Sequence, residues 1–252
     1  MKNIISFIVY TIFMASLSFA EDSALVSAAK VSDIAKVKAA VAAGESVDTA
    51  GNGGATALMW ASKNNNIDIV DFLLSKGAAV NAQDSAGYSA LIYASNEGNV
   101  KIAVDLIAHK ADVNIQTKNG NTPLIIAVQN GQLNIAKLLV DKGASIDMQD
   151  GGGYTALMHS ARDGHKTAYK ITEYFIQHGA NINFQDEEGY TALMAAAEVG
   201  HADIITLLLQ NGAEKNLKDS EEMSALDYAQ EEMEELEPAE LAKHKQAAKL
   251  LQ

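Results

Sequence analysis

The triplets Ser23-Ala24-Leu25, Thr56-Ala57-Leu58, Ser89-Ala90-Leu91, Thr122-Pro123-Leu124, Thr155-Ala156-Leu157, Thr191-Ala192-Leu193 and Ser224-Ala225-Leu226 follow one another at intervals of 33, 33, 33, 33, 36 and 33 residues. A chain that returns to one pattern every 33 residues is built from copies of a short unit. Such a unit cannot bury its own apolar face, so copies must stack around a shared core.

Each recurring position has a physical task. Ser or Thr opens a helix, because its hydroxyl accepts from free N–H groups of the first turn. Pro123 follows Thr122, where a missing N–H costs nothing. The leucine and the small residue three positions on (Ala28, Ala61, Ala94, Ala127, Ser160, Ala196, Ala229) share one helical face. Gly98, Gly131, Gly164 and Gly200, with Asn65 in the same place and Ser32 in the first copy, mark a turn that tolerates left-handed backbone. A second apolar helix follows and ends at Gly44, Gly77, Gly143, Gly179 or Gly212. Lys110 replaces that glycine once, predicting a mildly strained turn. Asp48, Asn81, Asn114, Asp147, Asn183 and Asn216 mark the loop to the next copy.

Gly-Asn-Thr-Pro-Leu at 120–124, Gly143-Ala144, and Gly179-Ala180-Asn181-Ile182-Asn183 closely resemble the ankyrin repeat. The resemblance runs from Ser23 to Ala229. It implies an all-α solenoid of helix-turn-helix units joined by short β-hairpin loops, with about seven repeats including caps. The expected boundaries are a capping repeat at 21–53, five repeats at 54–86, 87–119, 120–152, 153–188 and 189–221, and a C-terminal capping repeat at 222–252. In that last unit Met233 stands at the turn position, and Gln230 to Leu236 can continue as helix. Pro238 suits the first turn of a final helix ending at Lys249-Leu250-Leu251. Copy 153–188 carries three extra residues near Thr167-Ala168-Tyr169, read as a tolerated longer loop in preference to a contact site.

The resemblance also implies where a partner docks: the concave face made by loop tips and exposed first-helix positions. The candidates are Tyr88, Asn121, Tyr154 and Tyr190 before the helix caps, Lys118, Glu187 and Glu188 at loop tips, and Asn96, Glu97, Gln129 and Arg162 on first helices. Three tyrosines at one repeat position suggest binding anchors; the competing reading packs each ring across its own hairpin. Trp60 is expected between copies, buried.

Net charge argues against nucleic acid or anionic lipid as a partner: it is −13 for the whole chain. The acidity gathers at one end, with 16 acidic and 5 basic residues from Asn183 to Gln252. That asymmetry could steer a basic partner, or simply keep an end unit soluble.

Met1–Ala20 is almost wholly apolar apart from Lys2 and ends Ser18-Phe19-Ala20 before Glu21-Asp22, which reads as a cleaved signal peptide in preference to a membrane anchor. Cysteine is absent from the sequence, removing disulfides, thiol nucleophiles and thiolate metal sites. A bacterial periplasm is the expected compartment, with secretion second and no membrane association after signal removal.

The six histidines mostly fall in register with the repeat. His159 takes the histidine slot of the ankyrin Thr-Pro-Leu-His pattern, His165 and His201 follow turn positions, and His109 and His178 sit at second-helix ends; His244 alone is out of register. No catalytic residue, metal site or cofactor is expected. The reading is a non-catalytic, monomeric protein-binding module. By resemblance to small exported bacterial ankyrin proteins it would assist or protect an exported, peroxide-handling enzyme. The alternatives are a secreted effector mimicking host scaffolds and an immunity-type inhibitor of a toxin.

Overall fold

The computed structural model describes residues 22–231 and 237–252. The candidate export signal Met1–Ala20 and the turn position Met233 lie outside them. Among the described residues there are fourteen α-helices and no strand. The described residues divide into two compact units, one ending at Ala90 and the other beginning at Leu91.

The first unit holds α1 (Ala24–Lys30), α2 (Ile34–Ala42), α3 (Ala57–Lys63) and α4 (Ile67–Ser75). The second holds α5 (Ala90–Glu97, entered at its second residue), α6 (Val100–Ala108), α7 (Pro123–Gln129) and α8 (Leu133–Asp141). After them come α9 (Ala156–Arg162), α10 (Ala168–Gln177), α11 (Ala192–Glu198), α12 (Ala202–Gln210), α13 (Ala225–Gln230) and α14 (Pro238–Leu251). Odd-numbered helices are the first members of each pair and even-numbered helices the second.

Six first helices start where a Ser or Thr hydroxyl accepts. Ser23 accepts from Val26 N, Thr56 from Met59 N, Thr122 from Ile125 N, Thr155 from Met158 N, Thr191 from Met194 N and Ser224 from Asp227 N, at 3.2–3.4 Å. The leucines of the triplets at 25, 58, 91, 124, 157 and 193 are buried, as are all the small residues three positions on. These alanines and Ser160 leave room for close helix approach. In the first unit α1 packs on α3, and α2 on α4. In the second, α7, α9, α11 and α13 pack in succession, and α6, α8, α10 and α12 form the parallel row. The core lies between the rows.

Left-handed backbone appears where the sequence predicts it. Ser32, Asn65 and Lys110 have φ of 59°, 55° and 69°. Gly164 is the exception. Its copy carries the insertion, two residues of which lengthen the turn to 163–167 while one lengthens α10 to ten residues. Asp163 leaves α9 in extended conformation, so no left-handed residue closes that turn.

Two expectations need correction. Among the described residues the loops before the first helices carry no strands, and isolated bridges Ala50↔Thr56 and Gln149↔Thr155 stand in place of the expected β-hairpins. The chain closes a tight turn and enters the helix at once, leaving room for a single flanking pair and not for strands. The α13 helix also does not run on from Gln230, because Glu231 is extended. The final helix α14 packs instead on α11, α12 and α13.

The free carbonyls at first-helix ends are capped by side chains of the following pair. Gln132 Nε2 donates to Asn96 O at 3.3 Å, and His165 Nε2 lies 3.2 Å from Gln129 O. His201 Nδ1 lies 3.1 Å from Ala161 O. His244 does the same for Glu198 O at 3.0 Å, although it comes from α14 and matches no repeat position.

Candidate functional site

Several loops between helix pairs share one construction. Asp150, Asp186 and Asp219 each place Oδ1 to accept from the N–H groups two and four residues on, at 2.7–3.1 Å. A backbone bond from the aspartate N–H to the carbonyl four residues on closes the turn. Below it, Gln116 Nε2 donates to Gly120 O and to Gln149 O, and Gln185 Nε2 to Gly189 O and to Lys218 O. Neighbouring tips are joined directly: Gly151 N donates to Asn119 O at 2.7 Å and Ser220 N to Glu188 O at 2.6 Å.

The candidates in the second unit fall into two groups. Lys118, Gln129, Arg162, Glu187 and Glu188 are exposed, as is Glu97; Asn96, Asn121 and Tyr154 are half-buried. Asn96 Nδ2 donates to Glu97 Oε1, Asn130 Nδ2 to Asn96 Oδ1, and Gln129 Nε2 to Asn121 Oδ1. Tyr88 belongs to the first unit and is half-buried. Trp60, also in that unit, is half-buried, with Lys30 and Lys63 ammonium groups 4.8 and 5.4 Å from its ring.

Tyr190 is only 7% exposed, so its ring forms a wall. Its hydroxyl donates to Glu198 Oε2, while Glu198 Oε1 accepts from Arg162 at 2.8 Å. Its ring meets Tyr154 edge-on at 5.7 Å and Tyr228 edge-on at 5.4 Å. Burial, reinforced by the Glu198 carboxylate, pushes the Tyr190 hydroxyl far above the usual tyrosine range. Burial and the Asp219 carboxylate do the same for Tyr228.

These three rings line a cleft of about 460 Å³ together with Gly152, Arg162, Asp186, Glu188, Glu198, Asp219, Ser220 and Glu221. Five carboxylates thus face one guanidinium. Within this lining, Asp186 differs from its counterparts. Asp150 Oδ2 lies 2.8 Å from His159 Nε2, and Asp219 Oδ2 accepts from the Tyr228 hydroxyl at 2.6 Å. Both donors come from the same first-helix slot, which in the intervening pair is Ala195. Asp186 therefore has a carboxylate oxygen without a donor among the described residues, although the residue is only 9% exposed. Burial, helped by the Glu188 charge, holds its carboxyl above the usual range, against the backbone N–H groups of Tyr190, Glu188 and Gly189. The hydroxyl of Tyr228 and the loop N–H groups outweigh burial at Asp219, whose carboxyl lies below that range.

A family model for ankyrin repeats in three copies matches residues 4–84, 77–150 and 145–219. The chain belongs to the ankyrin-repeat family. Among solved structures, the crystal structure of the human ASB11 ankyrin repeat domain is similar in fold, with a TM-score of 0.75 and 22% identity over 91% of this chain and 98% of that one. Comparison with curated protein sequences gives no match. Ankyrin repeats generally mediate protein–protein interaction and are typically non-catalytic scaffolds, and the chain shares that framework. Among the described residues no helix is long and apolar enough to cross a membrane.

Tyr228 and Asp186 were missed by sequence reasoning. Tyr228 sits at the first-helix position that is His159 two copies earlier, not in the tyrosine position before a cap. The signal for Asp186 was present: Ala195 is the slot residue that cannot donate.

Proposed function

We propose that this ankyrin-repeat protein is a non-catalytic binding module, exported to a bacterial periplasm as a monomer, that holds a protein partner against its loop and first-helix face. The observation that carries the reading is the cleft of about 460 Å³ walled by Tyr154, Tyr190 and Tyr228. Rigid aromatic walls with a polar rim are the usual make-up of an interface centre. The exposed side chains of Gln129 and Arg162 extend that surface along the second unit.

Export rests on the sequence Met1–Ala20, with its apolar run and small residues before Glu21. An exported enzyme that needs protection or assembly is the partner class we favour. An inhibitor of a basic toxin uses the same cleft and is the second reading, favoured by its five carboxylates.

A photoreactive side chain placed at Gln129 or Arg162 in intact cells should label one protein heavily. The same group at Lys101 or Lys170, exposed on second helices, should not. Equal labelling from both sets removes the site. Mass measurement of the periplasmic fraction should find a chain beginning at Glu21; a chain retaining Met1 in the cytosol removes the export reading.

A further inference from the structure

Edge-to-face rings and a carboxylate with one oxygen free of protein donors occur together at one place in the second unit. Arg162 already neutralises Glu198, and Tyr228 already donates to Asp219. Asp186 has neither a cation nor a donor on Oδ2 among the described residues, and it is nine-tenths buried. Its second oxygen is not among the buried atoms left without a partner; it opens on the cleft, where water or a ligand group supplies the donor. Two neighbouring loops of identical construction complete theirs from within the chain, with His159 and Tyr228. The loop at Asp186 lacks only that donor, because Ala195 fills the slot.

What completes it must carry hydrogen-bond donors, bear positive charge and tolerate aromatic faces. An ammonium or guanidinium group meets all three conditions, since the ring faces of tyrosine attract cations. Exposed Glu188 and Glu221 at the rim of the cleft add attraction on approach. We propose that this cleft seats a lysine or arginine side chain of a basic segment of the protein partner, with Asp186 as its counter-ion and the rings of Tyr154, Tyr190 and Tyr228 as its wall. The proposal rests on the protein-binding reading above and names the partner chemistry for that same surface. The raised carboxyl of Asp186 agrees with it: the bound cation restores the ionised state that burial disfavours.

The test is fluorescence anisotropy with the full chain at physiological salt, using fluorescein-labelled (Gly-Lys)4, (Gly-Arg)4 and (Gly-Gln)4 peptides. The lysine and arginine peptides should bind and the glutamine peptide should not. Asp186→Asn keeps the Oδ1 acceptor and removes the charge; it should weaken binding about tenfold, the loss of one well-placed ion contact. Asp203→Asn removes an equal charge from α12 and should change binding by less than about twofold. Tyr154→Leu removes a ring and no charge, and should weaken binding about threefold. It decides the matter even if Asp186→Asn misfolds. Equal losses in Asp186→Asn and Asp203→Asn, unchanged binding in Asp186→Asn and Tyr154→Leu, or binding of the glutamine peptide would each overturn the proposal. A partner cross-linked through Gln129 whose capture ignores Asp186→Asn sinks this inference alone. Absence of any such partner sinks the broader reading.

Discussion

Glycine stands at 54, 87, 120, 153 and 189 with φ of 75–85°, and Glu222 adopts φ 64° at the next equivalent position. The difference follows from what lies beside each residue. A Cβ on Gly120 would meet Gly151 N at 2.5 Å, and one on Gly189 would meet Asp219 Cα at 2.9 Å, because the next loop passes close by. No described loop follows Glu222 in the repeat, so a side chain fits and only backbone strain remains. Gly120→Ala should therefore lower unfolding stability by about 2–3 kcal/mol, from strain and steric conflict together. Glu222→Gly should raise it by about 1 kcal/mol. Urea denaturation checks both. Tyr174 offers a separate test. Its hydroxyl donates to Asp141 Oδ1 at 2.5 Å, and that bond pushes its ionisation up to about 12. A folded-state value above the unfolded one of 10 means stability fully present below pH 10 and lost as pH rises towards 12. Ultraviolet titration of Tyr174→Phe should lack this late-ionising tyrosine, and the variant should lose less stability across that window.

At the scale of helices and loops, much was legible because each signal is local. A hydroxyl three residues before the N–H it accepts from, or a residue that must take positive φ, is written in a few consecutive letters. Thr155, Thr191 and Asn65 behave as those letters say. The loops were harder. Finger-like hairpins were expected from the family pattern, but the turn at Asp186 is closed by side-chain and backbone bonds within five residues, too few for strands. The end of α13 was equally opaque, since its continuation depends on how α14 returns against α11, α12 and α13. That helix buries Ala247, Ala248 and Leu251, with His244 bonded to Glu198 O. A chain ending at Glu231 should lose on the order of 3 kcal/mol from apolar burial alone and expose the last first helix. Hydrophobic-dye binding at neutral pH should rise in the shortened chain and stay low in the full one.

For the molecule as a whole, the stacking principle could be read from the 33-residue interval, whereas the site could not be read completely. Tyr154 and Tyr190 share a repeat position, yet the rung that completes their ladder, Tyr228, lies 38 residues beyond Tyr190 at a different position. Long-range pairings of this kind leave no periodic trace. Electrostatics works at the same scale. With net charge −13 and acidic residues gathered after Asn183, association with a basic partner should be fast at low salt. Raising salt from 20 to 500 mM should slow the association rate by at least about tenfold while changing dissociation little, as stopped-flow mixing would report.

The slot that holds His159, Ala195 or Tyr228 acts as a shutter over the aspartate of its own loop. Opening another one takes a single edit: His159→Ala should release Asp150 Oδ2, shifting the carboxyl resonances of that residue in NMR and adding a second receptor one module away from the first. An architecture assembled from interchangeable rungs can thus set both the number and the pitch of its charge sockets, one letter at a time, without redrawing the scaffold.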